Sequence, residues 1–319
     1  MKRTPARRRD VFLRQAEACD GRSPLYAALC RGLADDPRVD ALLPDLRWDV
    51  PLRLLGGLHA LVLEGRASWD DVGAALERDG DFLGRFAAEQ RVQTNEAQRC
   101  WALLPAFLSL ADERPLDLLE LGPSAGLNLY WDRYRYAYRT GSWGPAEAPL
   151  ELSGDDRRPP PRALFARRVE VVRRRGIDLE PVDVTTAEGA RLLEAFVWPD
   201  QAERRERLRL AIDVVRADPP ELVRGDYVDE LPRLLADRLP GTQLVVFQTA
   251  STQYLTGPEL VRLREALHHA GRVEPFCTVG SGRAPEDDGY ALEVERWPGG
   301  QRERLGVFDY HGAWLDWGR

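Results

Sequence analysis

The residues whose types and spacing could best do chemistry are Glu120-Leu-Gly122-Pro-Ser124-Ala-Gly126. They follow the spacing acid-x-G-x-G-x-G, with Ser124 in place of the middle glycine. Glycine is needed where a backbone turns sharply or lies against a ligand. A strand that ends in such a turn, ahead of a helix, offers amide donors to a ligand carboxylate or phosphate. Asn128, two residues beyond Gly126, is grouped with the loop. The dinucleotide fingerprint GxGxxG fits poorly, because its second glycine would be Ser124 and its third Leu127. That disfavours an NAD-dependent oxidoreductase. A second acid, Asp178, stands in Gly176-Ile-Asp-Leu-Glu-Pro, where a carboxylate at a strand end could accept both ribose hydroxyls of an adenosyl group. It lies 52 positions beyond Gly126, against about 20 in the usual arrangement. Glu151 is nearer in sequence and is the rival acid.

Three further stretches carry polar groups. Arg224-Gly225-Asp226 puts a carboxylate just after a short strand. Gln248-Thr-Ala-Ser-Thr-Gln-Tyr254 follows the apolar run Leu244 to Phe247; it offers hydroxyls and amides, with Tyr254 as a catalytic candidate, but no carboxylate or histidine. Gln93-Thr-Asn95-Glu96, with Arg99, has two readings. It is a helix N-terminus with Asn95 as cap, or a lid in which Gln93, Asn95 and Arg99 touch substrate and Glu96 acts as base. Among the histidines, His59 lies in an apolar helix and reads as core, and His268 and His269 end a helix, where a cation suits the dipole. His311, just after the last strand, is a second candidate base. No His/Cys/Asp/Glu spacing suggests a metal, and no GxSxG elbow or Walker loop is present.

The elements that must position these groups fall into two parts. Apolar residues recur at helical spacing from residue 8 to about 110, which predicts a helical domain over 1–114. Ser23-Pro24 reads as an N-cap with proline in the first turn, and Ser68 begins another helix. From Pro115 the pattern changes. Leu116 to Leu121 (LDLLEL) is a short apolar run of the kind found in strands buried on both faces. Tyr134, Tyr136 and Tyr138 alternate, and LELS follows at 150–153, which predicts an inserted strand pair at about 134–153. The stretch 155–161 reads as a solvated loop. Val169 to Val172, Ile177 to Leu179, Leu222-Val223, Leu244 to Phe247 and Val273 to Val279 read as strands. Residues 186–196, 201–217 and 229–238 read as helices, as does a stretch opened by the capping box Thr256-Gly-Pro-Glu259 and ended by Gly271. A hairpin with a PGG turn closes the chain. Alternating strand and helix means a mostly parallel sheet over 115–319, with an antiparallel hairpin at its C-terminal end.

Composition bounds the partners. The net charge of −7 argues against a general nucleic-acid binder. No stretch approaches the roughly 20 apolar residues that span a bilayer, and the basic start lacks the apolar segment of a secretion signal. Four scattered cysteines without CxxC spacing argue against a disulfide framework or zinc site and fit a reducing cytoplasm.

ELGPSAGLNLYWDRYRYAY, with QTNEAQR upstream and RRGIDLEP, VWPDQAERR and VRGDYVDEL downstream, resembles the bacterial family called domain of unknown function 2332, from Phe12 to about Trp317. That resemblance brings no activity with it. Residues 116–310 more loosely resemble class I S-adenosylmethionine-dependent methyltransferases. This second likeness implies a Rossmann-like sheet. It also implies a cofactor site in which Glu120, Gly122, Ser124 and Gly126 match the first motif, which holds the methionine part, Asp178 the ribose acid and Asp226 the adenine-side acid, with Gln248 also at the cofactor. Ser124 and the lack of an Asp/Asn-Pro-Pro-Tyr motif after the fourth strand are departures. The reading that follows is an S-adenosylmethionine-dependent methyltransferase whose helical domain caps the pocket and selects a small-molecule acceptor. The alternative is a module that binds S-adenosylmethionine, another nucleoside or a partner without turnover.

Overall fold

A computed structural model describes residues 5–43, 47–284, 287 and 289–318. The chain divides into two compact units, one taking in the chain up to Asn95 together with Val184–Leu208, the other Glu96–Asp183 together with the chain from Arg209.

The first unit is helical: α1 (Pro5–Cys19), α2 (Pro24–Ala34), α3 (Pro37–Leu42), α4 (Val50–Leu63), α5 (Val72–Arg78), α6 (Gly80–Glu89) and, after the second unit has begun, α8 (Ala187–Ala195). Short polar side chains start these helices. Ser23 accepts from the Tyr26 amide, with Pro24 in the first turn, and Ser68 and Asp71 cap successive turns before α5. Helix α4 is buried at nearly every position from Val50 to Leu61 and forms the centre of this core. His59 belongs to that core: its Nδ1 lies 3.2 Å from the Ala195 carbonyl, and burial pushes its pKa down to about 4.

The second unit is a mixed α/β structure. Its described residues form α7 (Arg99–Leu110), α10 (Tyr227–Ala236), α11 (Gly257–Val273) and twelve strands; α9 (Ala202–Ala217) crosses the boundary between units. The strands are β1 (Leu116–Leu121), β2 (Arg135–Tyr138), β3 (Gly141–Trp143), β4 (Glu151–Ser153), β5 (Asp155–Arg158), β6 (Val171–Asp178), β7 (Glu221–Arg224), β8 (Gln243–Thr249), β9 (Phe276–Ala284), β10 (Gly289–Trp297), β11 (Gln301–Phe308) and β12 (Trp314–Trp317). Nine of them form one mostly parallel sheet in the order β5-β12-β11-β10-β9-β8-β1-β6-β7. Strands β7, β6, β1, β8 and β9 are parallel, and β9 to β12 form an antiparallel meander. All six residues of β1 are buried because it lies between β6 and β8 with layers on both faces. Leu119, Leu121, Leu244 and Val246 pack under α10 and α11. The alternate residues face α7, where Phe107 meets Phe247 edge-on at 5.2 Å. No helix among the described residues is long and apolar enough to cross a membrane.

Several expectations need correction. The inserted pair is a three-stranded sheet, β3-β2-β4. The expected loop at 155–161 begins as β5, which pairs with β12, a strand the apolar pattern does not signal. The two short strands read at 169–179 are one, β6. Its three central arginines each have an acid: Arg173 and Arg175 both meet the fully buried Asp117, at 2.6 and 3.0 Å, and Arg174 meets Asp132 at 2.8 Å. Gly271 does not end α11; it lies inside the helix, and a Cβ there would stand 2.8 Å from Trp297. The capping box at Thr256 and Glu259 is formed.

Candidate functional site

Strand β1 runs straight into the glycine loop. Gly122 and Gly126 take φ of 73° and 76°, and Ser124, between them, takes 52°. The only other non-glycine residue with positive φ among the described residues is Ala250, at 69°, in the loop after the neighbouring strand β8. Such backbone costs about 1–3 kcal/mol per residue and tends to gather at functional sites. Both instances lie at the carboxyl ends of the two central parallel strands, where open α/β sheets hold ligands. The glycine loop opens into a short 3-10 helix, Leu127–Arg133, with a kink at Tyr130. The inserted sheet braces that turn: Tyr134 Oη donates to the Leu127 carbonyl at 2.7 Å and Tyr136 Oη to that of Trp131 at 2.6 Å.

Asp178 ends β6, beside the loop. Its Oδ2 accepts from the Ser124 amide at 2.8 Å and its Oδ1 from the Glu180 amide at 2.9 Å, so it pins the glycine loop to its own strand. The rival acid Glu151 is exposed on β4, in the separate small sheet, and pairs with Arg135 at 3.1 Å. Asp226 caps α10, accepting from the Val228 amide at 2.8 Å. Gly122 and Gly126 are bare partly for reasons of packing. A Cβ on Gly122 would come within 2.7 Å of Ser251 Cβ, and one on Gly126 within 3.1 Å of Pro220.

Glu120 faces the α7 side and is 1% exposed. Its Oε1 receives a long contact of 3.4 Å from Asn128 Nδ2, and its Oε2 has no hydrogen-bond partner. Burial pushes the carboxyl up to about 8; the Asn128 contact and the Arg99 charge oppose the rise and the Asp178 charge adds to it. On the other face of the sheet, Gln248 donates to the Ser281 carbonyl at 2.9 Å and leaves its Oε1 without a partner.

The acceptor-side candidates are dispersed. Glu96 is buried, and its Oε1 accepts from the Gln98 amide at 3.1 Å; Gln98, not the expected Asn95, stands at the N-cap of α7, which has no side-chain cap hydrogen bond. Glu96 and Arg99 belong to the second unit, Gln93 and Asn95 to the first, where both are half-buried. Tyr254 is exposed in the turn after β8. His311 is half-buried beside Tyr310. Sequence reasoning missed Ser251, which donates to the Leu121 carbonyl at 2.6 Å and closes the β8 loop onto the end of β1. It also missed Cys100, whose Sγ lies 3.2 Å from Asn128 Oδ1 behind Glu120. Hydroxyl or thiol placement of this kind leaves no periodic signal.

No curated protein and no solved structure matches this chain. The family model described as "Uncharacterized protein conserved in bacteria (DUF2332)" matches residues 9–317, nearly the whole chain, and the protein belongs to that family.

Proposed function

We propose that the strand-end site binds S-adenosylmethionine and that the protein is a methyltransferase acting on a small molecule. The observation that carries the reading is the order β7-β6-β1-β8-β9 with acids at consecutive strand ends. The order changes direction between β1 and β8, and that switch point is where doubly wound sheets bind nucleotides. Glu120 ends β1 there, Asp178 ends β6 and Asp226 follows β7.

The residues present suit the cofactor. Glu120 has a buried oxygen without a partner, fit to accept from an ammonium group. Each oxygen of Asp178 that accepts a backbone amide keeps a further lone pair for a ribose hydroxyl. Asp226 retains the same capacity for the adenine side, Gly122, Ser124, Gly126 and Asn128 lie in the turn after β1, and Gln248 stands near the end of β8. When bound, S-adenosylmethionine supplies an electrophilic methyl group. The protein's part is then to align an acceptor and take its proton, with Glu96, His311 or Tyr254 as the available groups.

A charge-assisted hydrogen bond contributes about 1.5–3 kcal/mol. Asp178→Ala is therefore expected to weaken S-adenosylmethionine binding tenfold or more by calorimetry. Unchanged affinity would remove Asp178 from the site. A second reading is a binding module without turnover. It is favoured by the 248–254 loop, which holds no acid or histidine and is drawn against Gly122 by Ser251. Binding of S-adenosylmethionine with no methylated product from any acceptor in a slow-turnover screen would support it.

A further inference from the structure

Arg99 is a buried cation without a counter-ion. It is 4% exposed and forms no ion pair among the described residues. Its Nε donates to the Tyr310 carbonyl at 2.8 Å, its Nη1 makes a long contact of 3.4 Å with Thr249 Oγ1, and its Nη2 has no partner. The guanidinium lies over the Tyr310 ring, 4.2 Å from the centroid. All these partners are neutral. Glu120 senses the Arg99 charge, but no ion pair joins the two and burial pushes its carboxyl up. Buried charges are ordinarily paired, because stripping their water otherwise costs far more than neutral contacts return.

The surroundings give the ligand a shape. Tyr290 packs 5.0 Å from Tyr310 and donates to Gln253 Oε1 at 3.3 Å. Tyr254, 69% exposed, stands at the outer side within reach of the Arg99 charge. We infer that the free Nη1–Nη2 edge of Arg99, with Thr249 beside it and the rings of Tyr254, Tyr290 and Tyr310 around it, holds the carboxylate of a small ligand with a flat, largely apolar body. A planar fork suits a carboxylate, and one guanidinium balances one negative charge, whereas a phosphate dianion would leave half its charge unmet. On the methyltransferase reading this ligand is the acceptor. The same chemistry could also receive the carboxylate of the cofactor itself.

The test uses the full-length protein with benzoate and its neutral isostere benzamide, and in parallel S-adenosylmethionine and 5′-methylthioadenosine, which lacks the amino-acid end. Binding is read by ligand-observed NMR and calorimetry for wild type, Arg99→Met and Thr249→Val, with thermal melts to check folding. The expected result is a preference of at least tenfold for the carboxylate-bearing member of one pair, lost in Arg99→Met and reduced in Thr249→Val. The Thr249 variant removes only a side-chain contact and keeps the test readable if Arg99→Met fails to fold. Preference for benzoate over benzamide identifies an acceptor carboxylate; preference for S-adenosylmethionine over methylthioadenosine identifies that of the cofactor. No preference in either pair, or a preference that survives Arg99→Met, overturns the inference. Benzoate held through Arg99 while neither nucleoside binds would sustain it and sink the cofactor reading. Equal binding of both nucleosides with no benzoate preference would do the reverse.

Discussion

Glu120 is a carboxyl almost fully removed from water, with one oxygen lacking a hydrogen-bond partner. In an unfolded chain its carboxyl ionises at the ordinary value of 4.5; in the folded protein it does so at about 8. The folded state therefore holds the proton more tightly. The contribution of Glu120 to stability is fully present below pH 4.5 and is lost as pH rises toward 8. Glu120→Gln, which cannot ionise, is expected to flatten that part of the stability–pH curve, measured by urea unfolding at pH 5 and pH 8. An identical slope in wild type and variant would show that Glu120 does not titrate as described. The same shift predicts that binding an ammonium-bearing ligand draws the proton off Glu120. Affinity for S-adenosylmethionine should accordingly rise from pH 6 to pH 8. Gly122 makes a second prediction at this scale. An alanine there would meet both the positive φ and Ser251 Cβ at 2.7 Å. Left-handed backbone costs a residue with a Cβ about 1–2 kcal/mol, so with the clash Gly122→Ala should lose about 2 kcal/mol or more by denaturant unfolding. A loss below about 0.5 kcal/mol would mean that the loop shifts freely, against the close packing described.

The elements around these residues were readable where burial is uniform and obscured where charge is buried. LDLLEL reads as a central strand because every position is covered, and the capping box at Thr256 names its own helix. Strand β6 reads as two fragments because Arg173, Arg174 and Arg175 resemble a solvated run, and only the fold reveals that Asp117 and Asp132 neutralise them. Strand β5 hides for the same reason: Asp156 accepts from Arg139, and Arg158 pairs with Asp316. Removing one member of a buried pair leaves an uncompensated charge and typically costs about 3–5 kcal/mol. Asp117→Leu should therefore lower stability by an amount of that order by thermal or denaturant unfolding, because the fully buried Arg175 loses its buried carboxylate. The double variant Arg175→Met with Asp117→Leu should recover part of the loss, since Arg173 is partly exposed and can turn to water. A single variant as stable as wild type would contradict the claim that Asp117 holds Arg173 and Arg175.

At the scale of the whole molecule, the parallel strands are what bring Glu120 and Asp178 together across the sequence that separates them. Their convergence was legible, because strand ends of one parallel sheet share an edge and the inserted sheet accounts for the distance along the chain. The closure of Ser251 onto Leu121, the partnerless Nη2 of Arg99 and the 3-10 turn after the loop were not, since they depend on which polar atoms packing leaves unmatched. The central claim is that the β1/β6/β7 strand ends form an S-adenosylmethionine site. Calorimetric titration of the purified full-length protein with S-adenosylmethionine, alongside NADH, tests it most directly. Saturable binding of S-adenosylmethionine at one site, weakened by Asp178→Ala, with no comparable binding of NADH, is the predicted result. Absence of S-adenosylmethionine binding, or tight binding of NADH in its place, would contradict it.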